Sequence, residues 1–145
     1  MLASPVWDYF AGGAKPLRIF VEEEKTRTAS HLGVVKTGGN YAAALGPTLE
    51  ARKQYGIDQV LFSPGGPVQA TGAATFLLLR PGHAGEAALS GTAAVLAGVG
   101  TLVTRSGEHR VGSGEIGPVT QQLRQQLVAI QTGEAADQRG WLERV

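Results

Sequence analysis

Leu17, Ile19 and Val21 alternate with Arg18 and Glu22, a period of two that predicts a strand over 17–22. A loop follows, and Val34-Val35-Lys36-Thr37-Gly38-Gly39-Asn40-Tyr41 reads as a short extended piece running into a glycine turn. Asn40 is a suitable N-cap for a helix over about 41–55, with Gly56 just past its end and a kink expected at Pro47. Residues 59–62 form a short apolar run, 63–67 a Pro/Gly turn, and 68–69 and 75–79 further extended segments. The Ala-, Gly- and Val-rich stretch 89–103 predicts two strands meeting near Gly98 and Gly100. Val119, Leu123, Leu127 and Ile130 share one face of a helix that starts near Pro118 and ends at Gly133. Outside these elements lie an irregular opening with Trp7, Tyr9 and Phe10, a connector over 80–85, and a tail over 134–145 with Trp141.

Composition narrows the class. A length of 145 residues fits a single domain spanning 1–145, large enough to bury a core without metal or disulfide. The 21 glycines are about twice the usual share, without a collagen period, so they predict a turn-rich globular chain. Thirteen basic against twelve acidic residues give no electrostatic case for nucleic acid or an anionic membrane as partner. The run Glu22-Glu23-Glu24-Lys25 is expected as a solvated loop. With no cysteine, thiol catalysis, iron–sulfur and Cys–zinc chemistry are excluded. No segment has the pattern of a signal peptide or a membrane span, so the expected compartment is the cytoplasm.

Candidate chemistry is sparse. Gly112-Ser113-Gly114-Glu115-Ile116-Gly117 matches a dinucleotide fingerprint, with Asp137 twenty residues beyond it, but nothing after the following helix reads as the second parallel strand that motif needs. The stretch Gly33 to Gly39 has the residue types of a phosphate-binding P-loop in the wrong order. His31, His83 and His109 have no ligand-spaced partners, so no metal site is expected. Lys36 stands out: an amine ending an apolar strand would be partly desolvated and suited to Schiff-base or general-base work, with the Tyr41 phenol beside it across the turn. A surface lysine next to a turn is the alternative.

Longer stretches carry a resemblance. His31-Leu32-Gly33-Val34-Val35-Lys36-Thr37-Gly38-Gly39-Asn40-Tyr41-Ala42-Ala43, Gly56 to Phe62, Leu89-Ser90-Gly91-Thr92-Ala93-Ala94 and Ile116-Gly117-Pro118-Val119-Thr120 resemble, in order, the large C-terminal domain of the branched-chain amino acid aminotransferases. The ending, with Ile130-Gln131-Thr132-Gly133, Asp137 and Gly140-Trp141, and the opening Ser4-Pro5-Val6 do so too. These are pyridoxal-phosphate enzymes of fold type IV. The resemblance implies a mixed α/β fold, a curved mixed sheet or partial barrel with two main helices. It matches Lys36 to the lysine that binds the cofactor covalently and shuttles the proton. Tyr41 matches the tyrosine on the cofactor's phenolic oxygen, and Thr92 and Ala93 the turn whose N–H groups hold phosphate and substrate carboxylate, an arrangement suited to anions.

Three departures accompany the match. The family's N-terminal small domain is absent, and roughly fifty residues are missing between Leu79 and Glu86, where ordinary connections run ~4–6 residues. Ala70-Thr71-Gly72-Ala73-Ala74-Thr75 replaces a family segment whose first residue is the glutamate that keeps the pyridine nitrogen protonated, so pyridoxal phosphate is a doubtful cofactor and ordinary transamination is not expected. The leading expectation is a repurposed small enzyme using Lys36 on a small carbonyl or carboxylate substrate. The alternatives are an aminotransferase completing its site in an oligomer, and a non-catalytic binding remnant. The apolar face left by the missing domain predicts a homo-oligomer.

Overall fold

The computed structural model describes residues 14–79 and 85–143. The opening segment and most of the 80–85 connector lie outside them. In chain order the elements are β1 (Leu17–Glu22), α1 (Gly38–Tyr55), β2 (Gln59–Phe62), β3 (Ala70–Thr71), β4 (Thr75–Leu78), β5 (Ala87–Gly91), β6 (Val95–Thr104), β7 (Gly107–Arg110) and α2 (Pro118–Gln131). One mixed sheet runs β3-β2-β1-β6-β5-β4, with β7 pairing to the second half of β6. β1 is parallel to both β2 and β6, and the other pairs are antiparallel. The turn 72–74 joins β3 to β4, the two ends of that path, so the sheet curls into a nearly closed barrel. This is the mixed sheet with two helices that the resemblance implied.

The core divides by the period-two alternation of the parallel strands. Phe20, Val60, Phe62 and Val103 pack under α1 against Ala44 and Ala51. Leu17, Ile19, Leu61, Leu89 and Val99 fill the opposite face. Small side chains turn inward on α1, which brings the helix close to the sheet, and Leu45 and Leu49 point outward at 56% and 53% exposure. Gly56 closes α1 in the left-handed conformation (φ 62°), donating its N–H to Arg52 O, as the sequence predicts.

Several expectations are overturned. Residues 34–41 are not extended: α1 begins at Gly38 and Thr37 takes the cap position, and the helix runs through Pro47 without the late restart that proline also allowed. The strand-to-strand turn falls at 92–94, not near Gly98 and Gly100, because β6 runs straight through those glycines. They are packing residues: a Cβ on Gly98 would come within 2.7 Å of Ile116, and one on Gly100 would overlap Gly114 O. Glu22 is not solvated but 3% exposed, its Oε1 accepting the Glu24 and Lys25 N–H groups and the Arg105 guanidinium at 2.9, 3.2 and 2.9 Å. Burial acts to raise its pKa, and these hydrogen bonds outweigh that and hold it below the ordinary carboxylate value. On α2, Leu123 is 44% exposed, while Thr120 and Arg124 form the side that meets the sheet.

α2 is docked by a carboxylate from another element. Its cap residue, Gly117, offers no side chain, and no acidic residue lies in the first turn. Glu86, 5% exposed at the start of β5, takes over: it accepts the Val119 N–H at 3.0 Å, the Thr120 N–H at 2.9 Å and the Thr120 hydroxyl at 2.7 Å. A buried anion thus meets the positive end of the helix dipole. A Cβ at Gly117 would overlap that carboxylate, so any side chain at position 117 must push it aside. Glu86→Ala is expected to cost about 2–3 kcal/mol in chemical denaturation, the range for hydrogen bonds to a buried charge. Gly117→Ala should produce a comparable loss by displacing the same carboxylate.

Candidate functional site

Lys36 sits on the loop leading into α1, and the helix's first turn holds that loop in place. Asn40, 3% exposed, donates its side-chain amide to Leu32 O at 2.8 Å and Val35 O at 2.7 Å. Val35 N–H bonds Leu32 O, and Thr37 N–H bonds Val35 O. Sequence reading gave Asn40 a capping role at the helix start. The structure instead uses it to clamp the lysine loop, and its Oδ1 is buried without a partner among the described residues. Val34 is 97% exposed, so the apolar strand expected before Lys36 does not exist. Lys36 is itself exposed, which removes the desolvation argument. Among the described residues its amine makes no hydrogen bond or ion pair.

Tyr41, 42% exposed, lies one residue after the clamp. The Arg27 guanidinium covers its ring at 5.3 Å, within cation–π range. Arg27 also donates from Nε to Thr71 O at 2.7 Å and from Nη2 to Gly72 O at 3.1 Å, which ties Tyr41 to the β3–β4 turn. The 92–94 turn stands next to that one, since a Cβ on Gly91 would touch Ala74 Cβ at 3.7 Å and Ala73 O at 3.8 Å. Thr92 and Ala93 are exposed, and neither N–H has an acceptor among the described residues.

The structure therefore lines up Tyr41, Arg27 and the two turns. No interaction joins Lys36 to Tyr41, Thr92 or Ala93. A shallow cavity of about 250 Å³ beside Tyr41, bordered by Leu45, Thr48, Gln59 and Gly72, is smaller than the ~300–1,000 Å³ of ordinary small-molecule sites. Ala70, half-buried at the start of β3 opposite Phe62, presents no carboxylate. Among the described residues no cluster of His, Asp or Glu could hold a metal ion, and no helix is long and apolar enough to cross a membrane.

No family model matches the chain. A probable branched-chain-amino-acid aminotransferase of Streptomyces coelicolor is 31% identical over 98% of this chain and 53% of its own length. The branched-chain-amino-acid aminotransferase of Mycolicibacterium smegmatis is 27% identical over 100% of this chain and 54% of its own. The chain is a relative of the branched-chain aminotransferases. The solved aminotransferase of Thermoproteus uzoniensis superposes with a TM-score of 0.77 at 19% identity, covering 98% of this chain and 59% of that one. The Escherichia coli enzyme gives 0.75 at 21%, covering 97% and 60%. At these identities the structural matches establish the fold-type-IV architecture of the branched-chain aminotransferases.

The chain spans about half the length of the curated relatives it matches. The Streptomyces alignment runs over 194 positions against 145 residues here, so that branched-chain aminotransferase carries about fifty residues within the matched region that have no counterpart in this chain.

Arg27 and Asn40 escaped sequence reading. Arg27 acts on Thr71 and Gly72, more than forty residues away, and Asn40 carried a sufficient alternative explanation as a cap. Asn40→Ala would leave two loop carbonyls without their donor. The expected cost is about 1–3 kcal/mol, with faster amide hydrogen exchange across 32–37 and unchanged exchange in β1 and β2.

Proposed function

We propose that this chain is the lysine-bearing half of a branched-chain-aminotransferase-like site, acting as a small enzyme on a carbonyl or carboxylate metabolite and not as a self-sufficient transaminase. The observation that carries this reading is the exposed Lys36 amine on a clamped loop, without a partner among the described residues, in a chain related to these aminotransferases over 98% of its length. A lysine amine adds to a carbonyl carbon, or takes and returns a proton at the carbon next to it. The N–H groups of Thr92 and Ala93, without an acceptor among the described residues, donate to a carboxylate or phosphate oxygen, and the Tyr41 hydroxyl donates to a developing oxyanion.

A solved relative from Thermobaculum terrenum is described in its pyridoxal-phosphate form. The residues of this chain fit that cofactor in part. Lys36 suits its aldehyde, Tyr41 its phenolic oxygen and the Thr92–Ala93 turn its phosphate, while Ala70 leaves the ring nitrogen without a carboxylate. When bound, the cofactor supplies an electron-accepting ring, whose capacity depends on a protonated nitrogen. In this reading Lys36, Tyr41, Thr92 and Ala93 hold the group, and position 70 limits what it does.

The test is reduction with borohydride in the presence of pyridoxal phosphate, followed by peptide mass spectrometry. The expected result is a phosphopyridoxyl adduct on Lys36 that is absent in Lys36→Ala, together with no measurable amino transfer from L-leucine to a 2-oxo acid. An unmodified Lys36 would remove the cofactor from the reading. Steady turnover of leucine by the isolated chain would restore full transaminase competence.

The same reading makes the chain a homo-oligomer. Leu45 and Leu49, four residues apart on α1, form an exposed apolar stripe beside Tyr41, whose ring Arg27 covers. Light scattering at micromolar concentration should return at least twice the 15.1 kDa chain mass, and a monomer would overturn this part of the proposal.

A further inference from the structure

Val95, the first residue of β6, has φ +54°, and it is the one non-glycine residue in that region among those described. A β-branched side chain is especially disfavoured there, by roughly 5- to 150-fold in population for strain of this kind, and such strain persists only where the surroundings over-determine it. The surroundings here are supplied by α2. Arg124 Nη1 donates to Ala94 O at 2.8 Å and to Leu96 O at 2.9 Å, the carbonyls on either side of Val95. In an extended strand, carbonyls two residues apart point the same way but lie about 6.6 Å from each other, farther than one nitrogen can bridge at hydrogen-bond distance. The compressed backbone at Val95 brings both within reach. Ser90 Oγ adds a third contact, donating to Val95 O at 3.3 Å.

Arg124 is in turn located by the helix that carries it. Thr120 lies one turn earlier on the same face and is tied by its N–H and hydroxyl to the Glu86 carboxylate. One turn of α2 therefore connects the Glu86 contact at Thr120 to the Arg124 hydrogen bonds on the carbonyls that flank Val95.

We propose that Arg124 is a positioning residue: it forces Val95 into the left-handed conformation and thereby holds the Thr92 and Ala93 N–H groups in their anion-accepting arrangement. This rests on the reading of that turn as an anion site, and it adds a residue that touches neither anion nor reacting atoms. Its signature is that glycine, which adopts positive φ without cost, makes Arg124 dispensable at this task.

The experiment compares wild type, Arg124→Met, Val95→Gly and the double variant, with inorganic phosphate titrated against the Thr92 and Ala93 amide resonances. Methionine retains much of the arginine stem's packing and loses the donors. Arg124→Met should weaken phosphate binding about tenfold, whereas Val95→Gly stays within roughly threefold of wild type. The double variant should return to within roughly threefold of Val95→Gly. A double variant as weak as Arg124→Met would overturn the proposal, because a role in docking α2 alone is not rescued at position 95.

If phosphate leaves the wild-type amides unmoved, the anion reading of the turn fails. The coupling is then read without ligand: Arg124→Met shifts the 92–95 amides, and Val95→Gly in that background restores those of 92–94. An absence of that restoration overturns the positioning claim on its own. Arg124→Lys keeps the charge and the stem but only a point donor, and it gives the same pattern at smaller amplitude should the methionine variant not fold.

Discussion

The Glu86 carboxylate at the start of α2 is the contact on which the organisation of this chain depends. Helix ends present unpaired N–H groups, and a buried end without acceptors is unstable. Gly117 has no side-chain acceptor, and the acceptor arrives from elsewhere and fills the space a Cβ would take. The arrangement makes a strand and a helix that are thirty residues apart in sequence into one unit. It sets the height of α2 over β6 and so determines where Arg124 reaches. Through one turn of helix, from Thr120 to Arg124, the buried carboxylate is linked to the strand that follows an exposed turn.

The described site has the character of one wall. It presents an amine, a phenol that Arg27 covers and ties to the β3–β4 turn, and a pair of N–H groups. What it lacks is enclosure. Lys36 and Thr92 are both exposed, and the cavity beside Tyr41 is small. Electrostatic catalysis gains its strength from excluding water, so the wall acts at full effect only when something faces it. The relatives carry nearly as much chain again beyond the matched region.

Much of the framework was legible in the sequence because it follows local rules. The alternation at 17–22, the Gly56 stop signal and the Pro118 start each correspond to an observed boundary. The failures also have local causes. Gly38-Gly39 is a poor way to begin a helix by propensity, and tertiary contacts through Asn40 override it. Gly-Thr-Ala-Ala-Val lacks the turn residues that announce a hairpin, and its left-handed position is occupied by valine. β7 is Gly-Glu-His-Arg, exposed throughout and without apolar period. Of the site, Lys36 and Tyr41 were singled out by residue type after an apolar run, an argument the exposure of Lys36 removes, and Thr92 and Ala93 came only from family resemblance. Glu86, Arg27 and Arg124 act over 28 or more residues to a backbone group or hydroxyl, and no spacing rule reports such pairs.

Leu79 N–H bonds Glu86 O at 2.8 Å, so β4 and β5 remain zipped one rung beyond their last paired residues. This rung holds residues 79 and 86 together whatever the length of chain between them. The rung is a socket in the architecture. Loop-closure entropy rises only logarithmically with the number of residues spliced in, so evolution can excise or reinsert a whole subassembly here while the scaffold stays the same.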